Sequence, residues 1–150
     1  MSHPVLAASF GDLIGAIQDI DPWLVHISGH ADREGFILAD KSNNGAMVGI
    51  PALTKLFSLK KYRISCLLLN GCLTSFPAKK ISQNGIIVIG MNEEIQDQHA
   101  LDFADAFYRY LGKNGDFTEA YCLTKLELSV RTDIPTAIVE CWKDGKKFNC

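Results

Sequence analysis

A cysteine and a histidine that each follow a glycine are the residues of this chain best suited to chemistry. Gly29 precedes His30, and Gly71 precedes Cys72. A thiol attacks a carbonyl carbon only as the thiolate, so a nucleophilic cysteine needs a nearby base such as imidazole. The glycines let the backbone approach a substrate and leave amides free to stabilise an oxyanion. The pairing predicts a Cys-His dyad; the alternative is a buried structural cysteine and an unrelated histidine.

Both pairs follow short apolar segments that have the character of buried strands. Trp23 to Ile27 leads into Ser28-Gly29-His30, and Ile64 to Asn70 leads into Gly71-Cys72. Apolar runs of this length are typical of strands that are buried on both faces of a parallel sheet. The carboxyl ends of parallel strands meet at one edge, where such folds hold reactive groups. We therefore expect His30 and Cys72 to lie within reach of each other.

The rest of the chain alternates between helix and strand signals. Helical periodicity predicts helices at about Leu13 to Asp21, Pro51 to Phe57, Thr74 to Gln83, Asp97 to Leu111 (with Gly112 as C-cap) and Phe117 to Val130. Apolar runs and turn residues predict strands at Ile86 to Ile89 and Thr136 to Trp142, and a small hairpin formed by Phe36 to Leu38 and a polar turn over Asp40 to Gly45. The order predicts an α/β fold, with a mostly parallel sheet and helices on both faces.

Length and charge narrow the class of protein. A chain of 150 residues, 47% of them apolar, fits one domain that spans residues 1–150. The formal net charge is −2 and the charges are interspersed, which argues against direct binding of nucleic acid or an acidic membrane. No apolar run approaches a membrane span, and the N-terminus lacks the features of a secretory signal. We expect a cytoplasmic protein without a membrane partner.

The other cysteines and histidines are interpreted as structural. The five cysteines include no C-x-x-C pair and no spacing typical of a zinc site, so neither a disulfide framework nor a metal site is expected. His26, inside the first strand, is expected to be a hydrogen-bonded core histidine. Core positions are also expected for Cys66, Cys122, Cys141, Phe103, Phe107 and Tyr108, and solvated positions for His3 and His99.

Four segments form an ordered set around and after the two reactive groups. They are Leu24-Val25-His26-Ile27-Ser28-Gly29-His30, then Leu67 to Ser75 (L-L-L-N-G-C-L-T-S), then Ile87 to Met91 with Ile95-Gln96-Asp97, and finally Ala100 to Tyr108. In this order they resemble the V-H-F-S-G-H-G, L-N-A-C-x-S, V-I-G-M with I-x-D, and A-x-x-F-x-x-x-F-Y motifs of CHAT domains, which are caspase-like cysteine proteases related to caspases and separase. The resemblance extends over roughly residues 10 to 125.

This resemblance implies a three-layer caspase-like sandwich and a cysteine endopeptidase. His30 matches the catalytic histidine and Cys72 the nucleophile, while the backbone N–H groups of Ala31 and Cys72 match the oxyanion hole. No cofactor is implied. A protein substrate and a regulatory protein partner are expected, in bacterial defence or programmed cell death. The family usually has glycine at the position of Ala31 and alanine at that of Gly71; the change to Gly71 is expected to be tolerated.

The same resemblance implies that the N-terminal strand and helix of the family are missing. About ten residues precede Leu13, and Val5 to Ala8 is too short to supply both elements. An exposed sheet edge invites pairing with another chain. We expect either a homo-oligomer or a protein partner that completes the sheet.

The residue two before the nucleophile bears on substrate preference. Metacaspases and clostripain-like enzymes carry aspartate there, to pair with arginine or lysine of the substrate, whereas this chain has the neutral Asn70. Basic specificity would then require Glu93, Glu94 or Asp97. Asp97 matches the aspartate of the family motif, but it is rather expected to cap the helix that follows. We therefore predict a pocket that accepts neutral or apolar side chains.

Two alternatives to a protease come from other functional classes. The first is a non-catalytic module that keeps the fold and works as an adaptor or regulatory subunit; Ala31 and the short N-terminus favour it slightly. The second, a flavodoxin-like nucleotide binder, lacks a glycine-rich phosphate loop after the first strand. Selective labelling of Cys72 by a thiol-reactive substrate analogue would separate the protease from both.

Overall fold

The computed structural model describes residues 3–4, 8–39, 44–131 and 133–150. The helices are α1 (Phe10–Ile20), α2 (Ile50–Phe57), α3 (Ser75–Ser82), α4 (Asp97–Asn114) and α5 (Phe117–Ser129), with a short 3₁₀ helix at Thr136–Ile138. The strands are β1 (Leu24–Ser28), β2 (Ala31–Asp32), β3 (Gly35–Ala39), β4 (Gly45–Gly49), β5 (Cys66–Asn70), β6 (Ile87–Met91), β7 (Val139–Lys143) and β8 (Lys146–Phe148). Residues 5–7 of the segment Val5 to Ala8 lie outside the described residues. So do residues 40–43 of the predicted turn Asp40 to Gly45.

The main sheet has five strands in the order β1-β5-β6-β7-β8. β1, β5 and β6 are parallel, and β7 and β8 are antiparallel to their neighbours. The α/β prediction is confirmed, and the sheet is mixed: its core of β1, β5 and β6 is parallel, whereas β7 and β8 add an antiparallel end. The reason is the pair of helices between β6 and β7: α4 leads away from the carboxyl edge of the sheet and α5 leads back, so β7 must run opposite to β6.

Helices cover both faces of this sheet, as predicted. On one face α1, α2 and α3 contribute to a core that includes Ile17, Leu53 and Ile81. On the other face α4 and α5 contribute to a second core that includes Phe103 and Tyr121. A separate antiparallel sheet, in the order β2-β3-β4, takes the place of the predicted hairpin and lies between β1 and α2 in the chain.

The ends of α1 and α4 follow local rules of helix capping. A capping box starts α1: Ser9 Oγ accepts from Asp12 N at 3.1 Å, and Asp12 Oδ2 accepts from Ser9 N at 2.9 Å. The fourth helix runs past Gly112 and ends at Gly115, which has φ +74°. The prediction that Gly112 is the C-cap is therefore wrong, because Gly115 supplies the left-handed conformation that terminates a helix.

The first strand differs from the prediction of a strand buried on both faces. β1 lies at an end of the sheet and pairs only with β5 among the described residues. Val25 and Ile27 are buried, while His26 and Ser28 are exposed. The apolar run in the sequence does not distinguish a central strand from an edge strand whose outer face is partly covered by aromatic side chains.

The cysteines divide into one bonded pair and three thiols. Cys66 and Cys141 are fully buried, as predicted, and burial raises the pKa of the Cys66 thiol and raises that of Cys141 to about 12. Cys122 on α5 forms a disulfide with Cys150, with the Cα atoms 5.6 Å apart. One bond is not a disulfide framework, but it was not foreseen, because spacing in the sequence does not reveal that the segment after β8 returns to α5. Cys122 is partly buried and packs against the second core.

Among the described residues, no helix is both long enough and apolar enough to cross a lipid bilayer.

Candidate active site

The strand ends before His30 and Cys72 meet at one edge of the sheet. β1 and β5 are parallel and in register, with Ser28 opposite Asn70. Each strand is followed at once by glycine and then by the reactive residue, so both residues emerge side by side from the carboxyl edge. The juxtaposition predicted from the sequence is present at the level of the backbone.

Two close approaches between backbones require the glycines at this edge. A Cβ atom on Gly71 would lie 2.3 Å from the carbonyl oxygen of Gly29, and one on Gly90 would lie 2.9 Å from the backbone of Thr74. Real carbon atoms do not approach a backbone oxygen so closely. Gly71 therefore brings the Cys72 segment against the His30 segment, and Gly90 lets β6 pack against the turn after Cys72.

Replacing Gly71 with alanine is expected to destabilise the fold by about 2 kcal/mol, because the new methyl group must displace the backbone at Gly29. The contact therefore requires glycine in this chain at the position where CHAT domains usually have alanine. The measurement is the midpoint of chemical denaturation. Gly112→Ala is the matched control, since a Cβ there meets nothing within 4 Å, and this change is expected to stabilise α4 by about 1 kcal/mol. A Gly71→Ala chain as stable as wild type would contradict the assigned contact.

No hydrogen bond joins the side chains of His30 and Cys72 in this resting arrangement. Cys72 is half-buried, and its thiol donates to the carbonyl oxygen of Ile95 at 3.8 Å, rather than to His30. The His30 side chain is exposed, and its carbonyl oxygen accepts a hydrogen bond from Ile37 N at 2.9 Å. That bond ties the His30 backbone to β3, whereas the imidazole makes no hydrogen bond to a described residue. Catalytic hydrogen bonds in unliganded enzymes are often long or absent and form when substrate binds.

Thr74 holds the turn that carries Cys72, a role that sequence analysis missed. Its side chain is fully buried, and Oγ1 lies 2.8 Å from the carbonyl oxygens of both Leu69 and Gly71, which share its one proton. The same oxygen accepts a hydrogen bond from Met91 N at 2.8 Å. One hydroxyl therefore joins the end of β5, the residue before the nucleophile and the end of β6. The sequence contains no signal for this role, because Asn70 and Ser75 nearby are also polar and the contact with Met91 is not local.

Leu73, the residue after Cys72, has a backbone conformation that side chains rarely adopt. Its φ is +59°, and its N–H donates to the carbonyl oxygen of Glu93 at 3.3 Å. A left-handed non-glycine residue costs about 1 kcal/mol or more and persists only when its surroundings impose it. The turn after β5 is thus held from both sides, by Thr74 and by the loop that contains Glu93.

Two backbone N–H groups beside the reactive residues lack acceptors among the described residues. In the β2-β3 pairing, Ala31 lies opposite Phe36, and the adjacent bond from Ile37 N to His30 O makes Ala31 and Phe36 a non-hydrogen-bonded pair. The N–H of Ala31 therefore points away from β3. The N–H of Cys72 also makes no hydrogen bond to a described residue. Both groups remain available to an incoming oxyanion.

The residues predicted to bind substrate occupy three different environments. Asn70 is only 5% exposed; its Nδ2 donates to the carbonyl oxygen of Ala100 at 3.1 Å, and its Oδ1 is buried without a described partner. Glu93 and Asp97 are exposed. Asp97 is the first residue of α4, and Gln96 occupies the N-cap position, so the prediction that Asp97 caps the helix is wrong. Its charge still complements the positive end of the helix dipole.

Two of the remaining histidines, His26 and His99, do not lie where the sequence predicted, whereas His3 is exposed as expected. His26 is exposed rather than in the core; its Nδ1 lies 2.8 Å from the hydroxyl of Tyr108, and partial burial lowers the pKa of the imidazole. Tyr108 is also partly exposed, unlike the buried Phe103 and Phe107. His99 is buried rather than solvated, because it lies one helical turn before Phe103 on the inward face of α4.

The described ranges contain no group of three or more His, Cys, Asp or Glu side chains that could hold a metal ion. Compared with models of known protein families, the chain has no match. A search of curated proteins likewise finds no significant relative. The assignment of a function therefore depends on the geometry of the site and on the resemblance of its motifs.

Proposed function

We propose that the chain is a caspase-like cysteine endopeptidase of the CHAT type, with Cys72 as nucleophile and His30 as the group that moves protons. The observation that carries this proposal is the parallel, in-register pairing of β1 with β5, which brings the Gly29-His30 and Gly71-Cys72 segments to one edge in backbone contact. The Thr74 hydroxyl and the strained Leu73 support it, since rigid supports and backbone strain are typical of catalytic turns.

In the proposed reaction the His30 imidazole takes the proton of the Cys72 thiol. The thiolate attacks the scissile carbonyl carbon and forms a C–S bond, and the carbonyl oxygen becomes an oxyanion that the N–H groups of Ala31 and Cys72 bind. Collapse breaks the C–N bond, and imidazolium protonates the leaving amine. Water then gives a proton to His30 and attacks the thioester, which releases the acid product and restores the thiol.

Reaching this arrangement requires a small rearrangement of the resting site. The thiol must leave the carbonyl oxygen of Ile95, a weak acceptor contact at 3.8 Å, and the exposed His30 imidazole must turn towards it. The free energy lost with this hydrogen bond is small because thiols are weak hydrogen-bond donors. Binding of a peptide, or of a regulatory protein, would supply the free energy for this change.

The direct test is covalent labelling with a peptidyl chloromethyl ketone, followed by mass spectrometry of all five cysteines. Labelling is expected at Cys72, while Cys66 and Cys141 remain unmodified because their thiols are buried and their pKa values are raised. His30→Ala should abolish the labelling, and His3→Ala, which removes an exposed histidine elsewhere, should not. Equal labelling in His30→Ala would argue against the dyad.

A non-catalytic regulatory module is the second candidate function. The specific observation in its favour is that the Cys72 thiol contacts Ile95 O and not His30. For such a module, the labelling experiment would show slow modification that does not depend on His30.

Cleavage is expected after neutral or apolar residues rather than only after arginine or lysine. Asn70 offers no negative charge and is only 5% exposed, so this position cannot form an ion pair with a basic side chain. A peptide-library digest measures the preference, and Asp97→Asn is expected to leave it unchanged. Cleavage confined to arginine and lysine sites, and lost in Asp97→Asn, would show that Asp97 is the pocket carboxylate.

A further inference from the structure

The outer side of β1 presents backbone groups that have no partner among the described residues. Trp23 O accepts hydrogen bonds from Ser65 N at 2.9 Å and Cys66 N at 3.3 Å, so the odd-numbered residues of this strand direct their backbone groups towards β5. Backbone direction alternates along an extended strand. The N–H and C=O groups of Leu24, His26 and Ser28 therefore point outwards, away from the sheet.

The two ends of the sheet differ in how they are protected against pairing. β8 is a three-residue strand that carries Lys146 and Lys147, both exposed. Short length and lysine side chains are the usual means by which proteins prevent edge strands from associating. β1 has five residues, L-V-H-I-S, none of which is an acidic residue, lysine or arginine. Of the two edges, β1 is thus the one suited to accept another strand.

Apolar side chains flank this open edge. Trp23, immediately before β1, is 42% exposed, and Tyr108, which contacts His26 from α4, is 37% exposed. Leu101, two helical turns before Tyr108 on the same face of α4, is 60% exposed. A strand added beside β1 would be covered by these side chains on the α4 face.

We propose that β1 pairs antiparallel with β1 of a second copy of the chain, with His26 opposite His26 at a two-fold axis. The outward groups are spaced symmetrically about His26, so in this register Leu24 lies opposite Ser28 of the second copy, and each such pair exchanges both of its backbone hydrogen bonds. Neither edge carries a formal charge when His26 is neutral, and the lowered pKa of His26 favours the neutral form. Identical edges therefore meet without charge repulsion.

A second copy fits this edge better than an unrelated strand because the contact closes on itself. A two-fold interface uses the same surface on both partners and leaves no open edge for further addition. The dimer would have one continuous sheet with β8 and its lysines at both ends. This inference does not depend on the proposed protease activity, because no residue of the seam is Cys72 or His30.

The test is sedimentation velocity at about 50 µM protein, well above the micromolar Kd that an interface of ordinary size supports. The wild-type chain is expected to be a dimer. His26→Lys places two ammonium groups opposite each other and should raise the dissociation constant about tenfold or more. His26→Gln, which is neutral, and Ala52→Lys, which adds a charge on the exposed face of α2, should remain dimeric.

Hydrogen exchange of the unmodified chain gives a second measurement that needs no variant. Raising the concentration is expected to protect the amides of Leu24, His26 and Ser28 and to leave those of Lys146 and Lys147 unchanged. Cys72→Ala should form the same dimer, which separates this proposal from the protease proposal. A wild-type chain that is monomeric at this concentration, a His26→Lys chain whose dissociation constant over a dilution series equals that of wild type, or protection at β8 instead of β1 would overturn it.

Discussion

Cys72→Ala is expected to lower the rate of peptide cleavage by at least about 10⁴-fold, because it removes the only proposed nucleophile. The fold should survive. Cys72 is half-buried, and its thiol makes a single weak contact, to Ile95 O at 3.8 Å, so the free energy of unfolding should fall by about 1 kcal/mol or less. The two quantities are measured with a fluorogenic peptide and by chemical denaturation of the same preparation.

His30→Ala and the double variant complete this experiment. Residues that act as one catalytic unit are non-additive, so the double variant should be no slower than Cys72→Ala alone. Cys141→Ala is the matched control: it removes a fully buried thiol from β7, so stability should fall while cleavage by the folded fraction persists. Cleavage by Cys72→Ala at the wild-type rate would rule out Cys72 as the nucleophile.

Thr74→Val is expected to cost about 4 kcal/mol of unfolding free energy, because it leaves a buried N–H of Met91 and two buried carbonyl groups without their shared partner. Valine has nearly the shape of threonine, so the change removes the hydroxyl and little else. The turn that carries Cys72 should loosen as a result. Cleavage by the folded fraction should fall about tenfold to a hundredfold in kcat, since small displacements of a catalytic group are costly.

Thr74→Ser separates this positioning role from packing alone. Serine keeps the hydroxyl and loses a methyl group, so it should restore most of the kcat even where some stability is lost. The decisive measurement is of kcat and KM separately for the folded fraction of each variant. A role of the Thr74 hydroxyl confined to folding would leave both constants unchanged. Thr74→Val with wild-type kcat would show that the hydroxyl does not position the nucleophile.

The sequence contained enough to predict the strand ends and their order. Apolar runs that terminate in Gly29-His30 and Gly71-Cys72 specify two strands and the edge at which both residues emerge, because parallel strands share a carboxyl edge. The helical periodicity of α1 and α4 was equally clear. Some helix ends differ from the prediction because of their caps. The fourth helix passes the first glycine, Gly112, and ends at Gly115, whose positive φ stops it.

Other features depend on distances that no local pattern encodes. The antiparallel direction of β7 follows from how α4 and α5 pack. The exposure of the His26 side chain follows from the position of β1 at the end of the sheet. The Thr74 contacts join residues that are three to seventeen positions apart. His99 is the exception, since its spacing of four from Phe103 was a usable signal for burial.

The disulfide between Cys122 and Cys150 encloses the last part of the chain in a covalent ring. That ring contains β7, an interior strand of the sheet, together with β8. The connection between α5 and β7 includes the exposed Val130 and Arg131. A peptide bond broken in this connection would add one water to the mass but release nothing, because both fragments would remain joined through sulfur. The nicked molecule would separate into two pieces only after reduction.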